Sequence, residues 1–467
     1  MSRIRKPIIL SIPDKFINEL DYYLESNPPA FVAKRVYFYQ IINHIINKQI
    51  IYSKAEYFSI DKKYLSLITA SNIDKYIKIL SNGGFIISDN IYRVGTKALW
   101  YKINENFISD AVDVELDAKH SKKIMKTIYR DRSHYNRLEP HIKLMKQKFM
   151  NMEYDYLKAY KWINDNSKGN KKYSYTISIK NIEDKRFRFF KRNNTNQRLD
   201  TNLTNLKKEL RQFIKGDLVS IDVKNSQPFL LGVLVQHILL AKNYNIKGLS
   251  KNIKRLSNNK QTLGNTNCNT NTYCSLLHID NITSTYGKRA LTKVYLIRQN
   301  IKIDYLAKFK TFLDSVINGS LYDDFISFYN DGISRKEVKT IMFKVFFSSN
   351  KKGHFTPYKN DKLIFAKVYP FVAEIIKILK HKDHALLPIY LQKLESFLFI
   401  DCIAKELVNN GIIPFTVHDS VLIEPEHVDR AIKIMNNVFK QKIGYTPTLD
   451  ITPVNYINYG YNSRKAV

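Results

Sequence analysis

Ile412-Ile413-Pro414-Phe415-Thr416-Val417-His418-Asp419-Ser420-Val421-Leu422-Ile423-Glu424-Pro425 is the stretch on which the fold of this chain turns. Two short apolar runs flank His418-Asp419-Ser420, the pattern of a tight β-hairpin with an acid near its tip. A buried hairpin that carries an acid needs a partner for that charge, because an unpaired ion is costly to remove from water. A cation or a metal ion would serve. A second acid ends another apolar, β-branched run, Leu218-Val219-Ser220-Ile221-Asp222-Val223-Lys224-Asn225-Ser226-Gln227-Pro228. The end of a strand is a rigid place for a metal ligand. Taken alone, though, Asp222 reads equally as one of the many carboxylates that cap a turn.

Between the two acids lies Arg335-Lys336-Glu337-Val338-Lys339-Thr340-Ile341-Met342-Phe343-Lys344-Val345-Phe346-Phe347-Ser348. Arg335, Lys339, Phe343 and Phe347 are spaced by four, and at about 100° per residue each step drifts by only about 40°. One helical stripe thus presents two cations and then two rings. A nucleoside triphosphate has the matching parts: a charged tail, a sugar and a flat base. The competing reading is an amphipathic helix with its Phe residues in the core and its cations in water.

Taken in order, these segments resemble motifs A, B and C of the family A DNA polymerases and the related single-subunit phage-type RNA polymerases. Asp222 matches the first residue of motif A. Arg335, Lys339 and Phe343 match motif B in register, with Phe347-Ser348 where the family has Tyr-Gly. His418-Asp419-Ser420 is motif C in its RNA-polymerase form. Upstream, Arg198-Leu199-Asp200-Thr201, Asn205-Leu206 and Arg211 are similar to the family's template-primer segment, and Gln392 falls where the family has Gln before motif C. The similarity runs over roughly residues 195 to 455.

The resemblance implies an α+β, mostly helical, right-hand fold: a palm with an antiparallel sheet, helical fingers and a thumb. It implies two Mg²⁺ ions, with Mn²⁺ as a substitute, held by Asp222, Asp419 and the Val223 carbonyl. Arg335 and Lys339 would neutralise the triphosphate, and Lys339 would protonate the leaving group. Phe343 would stack on the incoming base and Phe347 close over the sugar. Arg198, Arg211, Gln392 and His418 would contact nucleic acid. Where the family's DNA polymerases carry a Glu that blocks the ribose 2′-hydroxyl, this chain has Gln227, of similar volume but different hydrogen bonding. Ser420 is the RNA-polymerase choice, whereas Phe343 and the Arg198 segment are DNA-polymerase choices. The expected partners are a DNA template-primer, with RNA as the alternative, and nucleoside triphosphates. Deoxynucleotides are favoured; an RNA polymerase or primer-making enzyme is the alternative within the same chemistry, and a non-catalytic replication initiator is the alternative outside it.

Composition agrees with a polyanionic partner. The 467 residues include 75 Lys plus Arg against 42 Asp plus Glu, a formal +33. Such a protein gains affinity for nucleic acid by releasing condensed counterions. A low-GC genome rich in Lys codons would give a similar balance. The hydrophobic fraction, 44%, supports sizeable cores. Three cysteines exclude a disulfide framework, and Cys268 and Cys274 lack the partners of a zinc site. With no signal-peptide pattern and no apolar run near the ~20 residues of a membrane span, a cytoplasmic monomer of a phage, plasmid or mobile element is expected, without a membrane partner.

Three domains are expected. Residues 1–105 read as helix, helix and hairpin, resembling a winged helix-turn-helix. There Ser71 would cap a helix with Ile73, Tyr76, Ile77 and Leu80 on one face, strands would flank Gly95, and Asn72, Lys75, Lys78, Arg93 and Lys97 would meet DNA. Residues 106–195 form a basic, helical, thumb-like region. In it Lys185-Arg186-Phe187-Arg188-Phe189-Phe190-Lys191-Arg192 reads either as a backbone-tracking groove or as a strand edge with buried Phe. Residues 196–467 hold palm and fingers, the fingers over about 232–380. Residues 255–275 are a polar, low-complexity insert. A proofreading exonuclease has no room.

Overall fold

The computed structural model describes residues 7–26, 29–51, 56–93, 97–131, 138–240, 275–277, 279–329, 332–350 and 358–455. Cys268, Cys274, Gly95 and nearly all of the polar insert lie outside them. The chain is mostly helical, with small antiparallel sheets. It divides into two units. The first is Met1–Phe190 with Asp200–Gly216; the second is Lys191–Leu199 with Asp217–Val467.

In the first unit, Arg35–Ile51 forms a helix whose Phe38, Ile41, Ile42, Ile45 and Ile46 are buried. Strand Phe58–Ser59, helices Lys62–Ile68 and Ile73–Asn82, and strands Ile86–Ser88 and Trp100–Ile103 follow. Trp100–Ile103 is the central strand, pairing with both others. Ile73, Tyr76, Ile77 and Leu80 face the core together. Ser71 does not cap that helix: Asn72 takes the position, without a side-chain cap bond. The preceding helix is capped by Asp61, which accepts from the Tyr64 N–H at 2.9 Å.

Within a region expected to be helical, the strand Ala111–Glu115 pairs antiparallel with Ile9–Pro13; the apolar–polar alternation of Val112-Asp113-Val114-Glu115-Leu116 is the period of a strand. Val112 and Val114 share one face and Asp113 and Glu115 the other, and the five residues are exposed or half exposed. Much of the basic-aromatic run is committed internally. The Arg188 guanidinium is buried on the carbonyls of Ile182, Phe149, Met150 and Met152 at 2.6–3.2 Å. Arg186 is engaged by Asp184 and the Pro7 carbonyl. Neither guanidinium is held out in an open groove.

The second unit is built on a four-stranded antiparallel sheet in the order Leu449–Pro453, Val219–Val223, Ser420–Ile423, Phe415–Val417. Ile221, Val223, Val421 and Ile423 enter one core with the helix Ser226–Leu240, which is buried without a break from Ser226 to Val235. A helix apolar all round belongs at the centre of a domain, and this one fixes the chain that leaves Asp222. The helix Leu386–Ser396 runs into a π-helical stretch, Phe397–Ala404, and then Lys405–Asn409. Long π segments are rare and recur beside functional sites. The turn after the helix Ile303–Ile317 is tied to the sheet: Thr448 donates to the Ile317 carbonyl through its N–H and its hydroxyl at 2.9 and 3.0 Å, and the Lys224 N–H donates to the Thr448 carbonyl at 3.0 Å.

Candidate active site

Antiparallel pairing brings the two acids together. Ser420 stands opposite Asp222 in register, and the Val223 N–H donates to the Asp419 carbonyl at 3.3 Å. His418 and Asp419 form the two-residue turn between Val417 and Ser420. His418 has φ 56°, a left-handed conformation uncommon outside glycine, Asn, Asp and His. Asn225, just past Asp222, has φ 54°. Left-handed non-glycine residues cost on the order of 1 kcal/mol or more and gather at functional sites. The hairpin is closed by the Ser420 hydroxyl, which donates to the Val417 carbonyl at 3.0 Å. Ser420 is therefore buried and serves the turn.

Asp419 is held above the usual carboxylate range, first because burial disfavours its charge. Backbone hydrogen bonding, Arg198 and Lys339 pull the other way. Lys339 thus acts electrostatically on the acid from the helix Arg335–Phe347. That helix is closed at its start by a reciprocal capping box between Ser334 and Glu337, and near its end Lys380 donates to the Val345 carbonyl at 3.0 Å. Its core face is Val338, Ile341, Met342, Val345 and Phe346. Arg335, Lys339 and Phe343 lie on the other side, with Phe343 39% exposed and its ring 5.4 Å from that of the half-buried Phe347. The reading that buries these Phe residues in the core fails for Phe343. Arg335 pairs with Asp323 at 3.1 Å and lies over the Tyr322 ring. Tyr322 is buried, and both Arg335 and Asp419 act on its hydroxyl.

Several participants are invisible to sequence reasoning. Glu395 is 1% exposed. Its carboxylate accepts from Arg198 at 2.5 Å, from the Ser226 hydroxyl at 3.3 Å, and from the Gln227 amide. Burial raises its pKa to about 7 despite Arg198, with Asp419 adding to the rise. The turn carrying Arg198 meets the same helical run twice more. Asn196 donates to Gln392 at 3.1 Å, and Arg192 forms a two-pronged pair with Asp401 in the π segment at 2.6 and 2.7 Å. The i, i+3 spacing of Gln392 and Glu395 is the one sequence sign that could have drawn attention to Glu395. Arg198 and Gln392, expected on nucleic acid, are both engaged within the unit.

Of the remaining expected contacts, Lys75 is exposed over the Phe31 ring, and the exposed Arg93 forms an antiparallel bridge with Lys97. Arg211 belongs to the first unit, where it donates to the Leu206 carbonyl at 3.2 Å.

Asp450 is opposite Asp222 on the outer strand. Even so, among the described residues no group of three or more His, Cys, Asp or Glu converges to hold a metal. The local donor set is two carboxylates, Asp222 and Asp419. Mg²⁺ is commonly held by one or two carboxylates, with water and substrate phosphates filling its other positions, so the set fits that ion.

No protein-family model matches the chain, and no curated protein matches it in sequence. Among solved structures it is similar to the POL domain of Pol1 from M. smegmatis in complex with DNA primer-template and dNTP. Identity is 10% and the TM-score is 0.24, over 95% of this chain and 66% of that one, just under two thirds of its length. A likeness of that size does not fix the fold. Among the described residues, no helix is long and apolar enough to cross a membrane.

Proposed function

We propose that the second unit is a template-directed nucleotidyltransferase, a DNA polymerase of family A type. The reading rests on one observation above all: Asp222, on the strand Val219–Val223, and Asp419, in the turn that enters the neighbouring strand, are far apart in sequence yet meet at the Val223–Asp419 backbone hydrogen bond. The order of the three motifs and the outward Arg335/Lys339/Phe343 stripe support it.

Asp222 and Asp419, with the Val223 carbonyl, would hold Mg²⁺, which when bound neutralises triphosphate charge and makes the primer 3′-hydroxyl more acidic. Arg335 and Lys339 bind and orient the triphosphate, and Lys339 delivers a proton to the leaving pyrophosphate. Phe343 stacks on the base, Phe347 closes over the sugar, and Gln227 limits room at the ribose 2′ position. His418 lies toward the primer terminus.

In the first unit, the succession of helix, strand, two helices and two strands, with the last strand central, supports a winged-helix module that delivers the enzyme to DNA. Lys75 and Arg93 belong to its contact surface.

Primer extension with dNTPs and with NTPs, using wild type and Asp419→Ala, tests the assignment. Extension by wild type and none by the variant is expected. Extension by both would remove Asp419 from the site, and a preference for NTPs would make the enzyme an RNA polymerase or primer-making enzyme.

A further inference from the structure

Gln227 is 9% exposed and sits at the start of the helix that leaves Asp222. Its amide has two unlike edges: an NH₂ that only donates and an oxygen that only accepts. The NH₂ is taken by Glu395. The oxygen is buried and has no hydrogen-bond partner among the described residues. Asn225, two residues earlier and 8% exposed, likewise has both amide atoms buried without a partner there. Buried polar atoms are nearly always satisfied, so the Gln227 oxygen calls for a donor from a bound molecule.

The orientation of the Gln227 amide follows from chemistry. Arg198 can only donate, so it requires an acceptor at residue 395. The carboxylate of Glu395 accepts on both oxygens, which draws the Gln227 NH₂ toward it and turns the Gln227 oxygen away.

We infer that Glu395 is a positioning residue that sets which edge of the Gln227 amide meets the sugar of the incoming nucleoside triphosphate, so that the site offers an acceptor to a sugar hydroxyl. The inference rests on the polymerase reading. The negative charge that a single gate carboxylate would carry is set back on a neighbouring helix, and a neutral amide faces the substrate.

Donor and acceptor logic supplies the test. In Glu395→Gln, Arg198 still claims the acceptor oxygen of residue 395, leaving that residue's NH₂ for Gln227. Gln227 must answer with its own oxygen and turn its NH₂ to the sugar. Adding Gln227→Glu restores an acceptor on both sides. Wild type, E395Q and the double variant E395Q/Q227E are compared at about pH 8.5, where carboxylates are ionised. The readouts are equilibrium binding of dATP and ATP, and KM and kcat for primer extension with each.

E395Q should weaken nucleotide binding and raise KM on the order of 3- to 10-fold, the range of one hydrogen bond, with a smaller change in kcat and an altered dATP/ATP ratio. The double variant should return toward wild type. A merely structural role for Glu395 predicts no such rescue. Unchanged binding and sugar ratio in a folded E395Q, or a double variant no better than E395Q, overturns the inference. If E395Q does not fold, Gln227→Glu alone is the second probe. It sets two carboxylates against each other and should weaken binding of both nucleotides; wild-type binding would overturn the inference. Wild type that binds nucleotide but extends no primer defeats the polymerase reading and leaves the binding comparison to judge the amide. Wild type that binds no nucleotide defeats both.

Discussion

Replacing Gly319 by alanine should damage both stability and activity, by amounts that can be separated. Gly319 has φ +73° and follows the helix Ile303–Ile317, with the Ser320 N–H donating to the Ser315 carbonyl at 2.9 Å. Gly411 is its counterpart after Lys405–Asn409: φ +79°, with the Ile412 N–H donating to the Leu407 carbonyl at 2.9 Å. Both are helix C-terminal turns of the kind glycine favours. A Cβ on Gly411 meets nothing within 4 Å, whereas on Gly319 it falls 2.8 Å from both Cβ and Cδ of Lys224. The Lys224 Cδ can swing away, but its Cβ is fixed to the backbone two residues past Asp222. G411A should therefore cost only the left-handed conformation, about 1–2 kcal/mol, eased by a few tenths through the stiffer unfolded chain. G319A should cost a further 1–3 kcal/mol, roughly, for the overlap. Urea unfolding of the two variants and wild type measures the difference directly. Because Lys224, Thr448 and Ile317 are hydrogen-bonded in series, relief of the overlap shifts the Asp222 turn, and kcat should fall in G319A but not in G411A. Equal destabilisation of the two variants, or full activity in G319A, would refute the reasoning.

Asp419→Asn should abolish extension yet resist urea better than wild type in metal-free buffer near neutral pH. Its pKa is raised in the folded protein, so the wild-type penalty is full above the folded pKa and disappears below the unfolded one; the gap should narrow as pH falls, and a widening gap would contradict the assignment. Lys339→Ala should raise nucleotide KM and lower kcat with template affinity nearly unchanged, measured by steady-state kinetics and a DNA-binding titration; a strong loss of template affinity would count against its role. Arg192→Ala leaves the partly buried Asp401 without its two-pronged partner and should cost about 1–3 kcal/mol in urea unfolding, most of it recovered in Arg192→Ala/Asp401→Ala. Lys75→Ala with Arg93→Ala should weaken DNA binding and reduce the salt slope by about one for each phosphate no longer neutralised; an unchanged slope would remove these residues from the interface.

What the sequence made legible follows from which interactions are local. The apolar runs around Asp222 and Asp419, and the four-residue stripe on Arg335–Phe347, are local patterns, and the strands, the hairpin and the exposed stripe are all readable from them. Their pairing is readable only through the resemblance, because nothing local to Ile221 says that Val421 lies opposite. Glu395 escapes sequence reading for the same reason. Its significance comes from Arg198, Ser226 and Gln227, all distant in sequence, and on its own helix it is one more Glu in an apolar run. Arg188 misleads in the opposite direction. A cation among aromatics suggests an open groove, but here four backbone carbonyls at the ends of the helices Pro140–Asn151 and Gly169–Glu183 claim it.

The path of the chain at Lys191–Leu199 bears on how such a gene can be rearranged. The first unit is interrupted there and resumes at Asp200. No single breakpoint separates the two units: cutting after Gly216 would leave the second unit without Arg192 and Arg198, and Asp401 and Glu395 would lose the guanidinium groups they hold. Module shuffling, which rewards units with one clean seam, would be penalised here. The two halves should be inherited as a block.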